Sequence, residues 1–276
     1  MKGVISMEKC AEKMFYADFI FNRVKEHSYF VQDNTDNIYI GTWLQGSQNY
    51  DMADKLSDVD TKSIVVPDFR GLVLSKDRES RTLILPNEEH ADVKDFREMI
   101  NCWKKQNVNF VEVLFSPYVT FAYEYEWLDN SLYAWREDIA HYSRWNTVNA
   151  TVGHMREKAM KLKRAGIARA EAVATYGYDP KQLCHLLRLR DFLEKYFKDY
   201  DYASCLMPTD KEYLIAVKRG LHTEEEADRL TQETMDWANN FCSDMYFKLK
   251  EKDTNPKVDK YFDDVAVNLF RRVYSE

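Results

Sequence analysis

A chain of 276 residues is long enough for one large domain or two modest ones, and with 45% hydrophobic and 31% charged residues it lies far from the composition of disorder. The net charge of −7 excludes a protein that coats nucleic acid or anionic membrane with its whole surface, so any polyanionic partner has to be met by a local basic patch. Aromatic residues at 14%, with only 8 Gly and 6 Pro, favour long packed helices over a loop-rich all-β chain.

Residues 7 to 27 read as an amphipathic helix, with Met14, Phe15, Phe19, Ile20 and Val24 at helical spacing. "NIYIGTWL", 37 to 44, has the β-branched and aromatic content of a strand and stops at Gly46-Ser47. The polar stretch 47 to 56 suits one or two helical turns, and "DVDTKSIVVP", 58 to 67, alternates and then turns apolar as a sheet strand does. "RTLILP" and "EEHADVKDF" predict two strands or a hairpin joined around Pro86-Asn87.

Helical periodicity returns at about Asp95 and is expected to persist, with breaks, to the C-terminus. "GYDP" at 177 to 180, "MPTD" at 207 to 210 with an N-cap at Thr209, and "GLHTEEEAD" at 220 to 228 punctuate it. Thr223 ahead of Glu224, Glu225 and Glu226 is a strong helix start, because the hydroxyl caps free N–H groups and the acids favour the positive helix end. The fold class predicted is α+β: a mixed β-sheet front half followed by an all-helical back half.

Five cysteines, widely spaced and without a C-x-x-C pair, read as buried free thiols of a reducing compartment. The charges Glu8, Lys9, Glu12 and Lys13 interrupt any signal-peptide core, and no segment has the length of a membrane span, so a cytoplasmic protein without a membrane partner is expected.

The chemistry concentrates in "GSQNYDMADKLSDVDTKSIVV", 46 to 66. On a strand, residues i and i+2 share a face, so Asp58 and Asp60 present two carboxylates side by side while Val59 points into the core. Such a pair is tolerated when an arginine or a divalent cation neutralises it, and hard oxygen ligands suit Mg²⁺ or Mn²⁺. Gly46-Ser47 would let backbone and hydroxyl approach a phosphate. Taken singly, the Asp pair reads as a solvated strand end and the Gly-Ser as an ordinary turn; a strand ending in Gly-Ser, a short polar turn, then Ser57-Asp58-Val59-Asp60-Thr61 opening a second strand is more telling.

These residues resemble the signature of the nucleotidyltransferase superfamily that includes DNA polymerase beta, in its branch of predicted bacterial and phage nucleotidyltransferases. The likeness extends through "NVNFVEVLFSP" (107 to 117) and "GYDPKQLCHLLRLRDFLE" (177 to 194) to "EYLIAVKRGLHTEEE" (212 to 226). It departs at Tyr50-Asp51, where many relatives carry a further glycine. The resemblance implies a metal-dependent nucleotidyltransferase that moves a nucleoside monophosphate from an NTP to an acceptor and releases pyrophosphate. It implies a catalytic domain over 1–120 and a cleft-closing helical domain over 121–276.

By the same resemblance, two Mg²⁺ ions (or Mn²⁺) are held by Asp58, Asp60 and a third carboxylate on a neighbouring strand. Asp92 is chosen, with Asp95 and Glu89 as competitors. Lys181, His185 and Arg188 fall at i, i+4 and i+7 on one helix face; that is a wet helix face on its own terms, and with the resemblance Lys181 and Arg188 join Gly46 and Ser47 as triphosphate contacts. Glu112, an acid inside an apolar run, is expected to be a structural ion-pair partner, with a catalytic role as the alternative. The segment 156–169, with Arg156, Lys158, Lys161, Lys163, Arg164 and Arg169 against Glu157, is either a landing surface for RNA phosphates or a face paired with acids. The acceptor is left as an RNA end, a protein hydroxyl or a small molecule. A toxin–antitoxin or defence component acting by the same chemistry and an inert nucleotide- or RNA-binding module are the competing readings.

Overall fold

A computed structural model describes residues 2–53, 57–75, 78–164, 169–198, 201–249 and 254–275, with residues 2–15 described by backbone alone. Helix α1 (Lys2–Asp33) precedes strand β1 (Ile38–Gln45), a 3₁₀ turn (Ser47–Tyr50) and strand β2 (Asp60–Val66). A short helix α2 (Phe69–Val73) leads to β3 (Ser80–Ile84) and β4 (His90–Asp95). Then come α3 (Phe96–Lys104), α4 (Val108–Val111), a 3₁₀ turn (Glu112–Phe115) and β5 (Val119–Phe121). The remainder is helical: α5 (Glu126–Ala140), α6 (Arg144–Lys161), α7 (Ala170–Tyr176), α8 (Pro180–Tyr196), α9 (Tyr202–Leu206), α10 (Lys211–Lys218), α11 (Glu224–Leu249) and α12 (Pro256–Val273).

The strands form one mixed sheet in the order β3-β4-β2-β1-β5, with β2 and β4 parallel and the other pairs antiparallel. Strands β1 and β2 lie in its middle and are buried almost throughout. Alternation assigns the faces: Val31 of α1 meets Tyr39, Val65, Ala91 and Val93, and Ile20 and Val24 meet Leu44 and Val59. The other face, with Ile40, Trp43, Ile64 and Val66, joins a large core that runs through α3, α5, α6, α8 and α12. A bulge between Tyr39 and Gly41 lets Ile40 and Trp43 share that core despite their odd spacing.

Local signals set most boundaries. Asp95 caps α3, Asp179 with Pro180 opens α8, and Asn255 with Pro256 opens α12. Thr223 and Glu226 exchange side chain-to-backbone bonds at the start of α11, the reciprocal box expected there. Two expectations need correction, the cap of α10 and the start of β2. Asp210, not Thr209, caps α10: its carboxylate takes the Tyr213 N–H, and Thr209 instead donates to Asp191. One of the expected breaks in the helices after Asp95 is Val119–Phe121, which adds a sheet edge against β1. The β2 ladder begins at Asp60 rather than Asp58, since β1 ends at Gln45, the partner of Asp60, and leaves residues 58 and 59 unpaired.

Cys102, Cys184, Cys205 and Cys242 are free thiols; the side chain of Cys10 lies outside the described residues. Among the described residues no helix is long and apolar enough to cross a membrane.

Candidate functional site

The turn after β1 is shaped by one residue. Gly46 has φ 96° and ψ −154°, a region open in practice only to glycine. The 3₁₀ turn then closes with the Met52 N–H on the Ser47 carbonyl, and its end falls on Asp51, left-handed at φ 55°. Aspartate tolerates that conformation better than most residues, so the turn closes at Tyr50-Asp51 without the further glycine of the resembling family.

Gln48 ties the turn to the next strand: its amide nitrogen donates to the Asp58 carbonyl at 2.6 Å. Val59 is 1% exposed against Ile20, Val24 and Leu44, which turns Asp58 and Asp60 away from that core. Both carboxylates line a cavity of about 450 Å³ that Gly46, Ser47 and Tyr50 also border. Asp58 is exposed and Asp60 half-buried, the latter accepting from the His90 backbone N–H at 3.2 Å and lying 3.3 Å from the His90 ring Nδ1.

Helices α6 and α8 supply the opposite wall. Lys181, His185 and Arg188 line the cavity from one side of α8, and Lys158 faces it from α6. Among the described residues Lys158 and Lys181 form no ion pair. Arg188 is 4% exposed, stacked 4.1 Å from the Tyr50 ring centre, and its Nε and Nη1 are buried without a hydrogen-bond partner. Burial pushes the His185 imidazole well below its ordinary value, and the positive Arg188, Lys158, Lys181 and Lys218 push it the same way, so the ring is neutral. Burial also lowers Lys158, with Lys181 and Arg188 adding to the effect. Arg188, Lys181 and Lys158 thus gather positive charge along one wall of a concave space where an anion can take the place of water.

Glu112 closes the base of the site. It is 1% exposed, with Oε1 accepting the Gly46 N–H at 3.3 Å and Oε2 buried and unpartnered. The expected ion pair is absent among the described residues: burial raises the carboxyl, and the Arg188 and Lys62 charges act against that from beyond contact distance.

Asp92 stands apart. It does not line this cavity but an adjoining, more open depression that also touches Asp60 and His90. Its Oδ2 is 2.7 Å from the buried Lys62 ammonium and its Oδ1 accepts from Thr82 at 2.6 Å. Burial alone would raise the Asp92 carboxyl, but the Lys62 charge and these bonds hold it below its usual range. Its competitors are occupied too: Asp95 caps α3 and pairs with Arg97, and Glu89 is bound by His27, Arg23 and the Val59 N–H. Among the described residues no group of three His, Cys, Asp or Glu is gathered to hold a metal ion. Asp58 and Asp60 are the two carboxylates on this cavity that would serve Mg²⁺, an ion that takes one or two carboxylates and completes its shell with water and substrate phosphate.

The basic segment divides. Lys158 and Arg169 reach the cavity, Arg169 already bound to Asp179 at 2.7 Å. Lys161 pairs with Glu157, Lys163 with Glu224 and Asp228, and Arg156 bonds Asn239. Residues 165–168 lie outside the described residues. Lys158, His154 and Lys218 are cavity residues that sequence reading did not assign to the site. Only the packing of α6 and α10 on α8 brings them in, although Lys158 stood out within the basic run.

No protein-family model matches the chain, and no curated protein matches it. Among solved structures, a nucleotidyltransferase-like protein from Exiguobacterium sibiricum aligns over 80% of this chain and 74% of its own, at 14% identity and a TM-score of 0.29, a likeness that carries nothing about activity.

Proposed function

We propose that this chain is a metal-dependent nucleotidyltransferase of the DNA polymerase beta type, moving a nucleoside monophosphate from an NTP to an acceptor hydroxyl with release of pyrophosphate. One observation carries the reading: a single cavity has Asp58 and Asp60 on one side and Lys158, Lys181 and the donor-rich Arg188 on the other, with Gly46-Ser47 at its border. Carboxylates beside a triphosphate make sense only with a divalent cation between them. Asp58 and Asp60 would hold Mg²⁺, which when bound offsets charge on the reacting phosphate and the attacking oxygen.

Arg188, Lys181 and Lys158 would bind the β- and γ-phosphates and stabilise the charge that builds on departing pyrophosphate. Burial and the neighbouring cations keep His185 neutral, so it serves as a hydrogen-bonding wall rather than a further charge. The acceptor oxygen–phosphorus bond forms as the bond to pyrophosphate breaks, and the hydroxyl proton leaves to water in the cavity. Asp92, held by Lys62, would contribute only after that pair separates. The basic run 156–169 does not favour RNA as acceptor, because Arg156, Lys161, Lys163 and Arg169 are engaged within the chain.

The test is incubation with each labelled NTP and Mg²⁺ against RNA, protein and small-molecule fractions of a cell extract. Label appearing in one fraction with wild type, and absent with Asp58→Asn and Asp60→Asn that remain folded, supports the reading and identifies the acceptor. Label in none of the fractions with any NTP sinks it in favour of an inert binding module.

A further inference from the structure

We infer that Glu112 is a positioning residue for this reaction: its carboxylate fixes the Gly46 peptide, and through it the orientation of the Ser47 end of the turn toward the cavity. The inference rests on the transfer reading above and adds to it a residue that does not touch substrate. Glu112 sits at the base of the cavity on the 3₁₀ turn that follows α4, and Asn107 caps α4 through the Asn109 N–H. The core seats Val111, Val113 and Leu114 on either side of it, so the carboxylate has little freedom to move.

Two features exclude the obvious alternatives. A structural ion pair would join Glu112 to a cation, yet its one hydrogen bond among the described residues is to the Gly46 N–H and Oε2 has none. A direct contact to the triphosphate would bring a carboxylate against phosphate, which repels it, whereas Arg188 and Lys181 on the same cavity carry the charge suited to that contact. What remains is the bond itself. Gly46 is in a glycine-only backbone conformation and a Cβ there would meet nothing within 4 Å, so side-chain packing does not fix this position. The Gly46 N–H is held by the Glu112 carboxyl oxygen, while the Asn49 N–H on the Gly46 carbonyl and the Met52 N–H on the Ser47 carbonyl close the turn beyond it.

Glu112→Met fills the same volume without an acceptor, and Glu112→Gln restores a neutral acceptor of the same shape. Two quantities are compared in folded protein: hydrogen exchange of the residue 46–48 amides, and affinity for inorganic tripolyphosphate in Mg²⁺ by calorimetry. The expected result is exchange at least tenfold faster and affinity at least tenfold weaker in Glu112→Met, with Glu112→Gln within about threefold of wild type in both. Wild-type exchange and affinity in Glu112→Met overturn the inference, as does a Glu112→Gln variant that behaves like Glu112→Met. If Glu112→Met does not fold, Ser47→Ala in the Glu112→Gln background decides: loss of affinity with exchange retained supports a turn that presents Ser47, and unchanged affinity overturns it. If wild type holds no tripolyphosphate, the transfer reading falls, and the exchange comparison still supports or overturns the hold of Glu112 on the turn.

Discussion

Replacing Gly46 with alanine isolates backbone conformation from packing. A Cβ built on Gly46 meets nothing within 4 Å, so the substitution has no steric cost. Its φ of 96° and ψ of −154° lie in the glycine-only region, where another residue costs about 1–3 kcal/mol. If the turn keeps its shape, that strain appears as lost stability, a drop of roughly five- to 150-fold in the ratio of folded to unfolded protein. If the turn relaxes, stability is spared, but the Gly46 N–H leaves Glu112 and the cavity border moves. Urea denaturation and tripolyphosphate titration on the same samples therefore sum the two effects, and at least one has to change. Gly41→Ala is the control of opposite kind, since a Cβ there would lie 2.6 Å from the Phe121 ring and the cost is packing alone. Gly46→Ala matching wild type in both stability and affinity, with Gly41→Ala destabilised, would refute the assignment of Gly46 to backbone geometry.

Asp92→Ala leaves the 1%-exposed Lys62 without its counter-charge and is expected to destabilise the fold by about 3–5 kcal/mol, read by urea denaturation. Lys62→Met with Asp92→Ala should recover much of that loss, and a stable single variant would show that the pair carries little of the fold. His185 should show no imidazole titration between pH 6 and 8 by NMR, because burial and four neighbouring cations hold it neutral; added pyrophosphate, by offsetting those charges, should move its titration upward. For Glu89, burial alone would raise the carboxyl, but bonds from His27, Asn87, Arg23 and the Val59 N–H outweigh it and bring the pKa down to about 2. A depressed acid stabilises the fold above its unfolded value near 4.5, and the contribution is lost as pH falls from there toward 2. Glu89→Gln should flatten the stability–pH curve in that window, and an unchanged slope would remove Glu89 from the acid response.

Much of this protein was readable residue by residue. Strand β1 and its stop at Gly46, the inward turn of Val59, the Thr223 box and the shared face of Lys181, His185 and Arg188 all follow from interactions within a few residues, where pleat, helical pitch and capping chemistry act. Thr209 misled because two adjacent residues could both cap, and Asp191, eighteen positions earlier, engages the Thr209 hydroxyl. Strand β5 has only 3 residues and no pattern of its own, and is a strand because β1 offers it an edge.

The sequence by itself determined the α+β order, the helix starts and the two carboxylates on one side of Val59, since those depend on local geometry. Tertiary structure alone decided that α6 and α8 meet the Gly46 turn across one cavity, that Lys62 holds Asp92, and that Glu112 grips a backbone N–H sixty-six residues away. The reason is burial: whether a charged group is paired, stranded or aimed at a ligand depends on which distant segments exclude water from it.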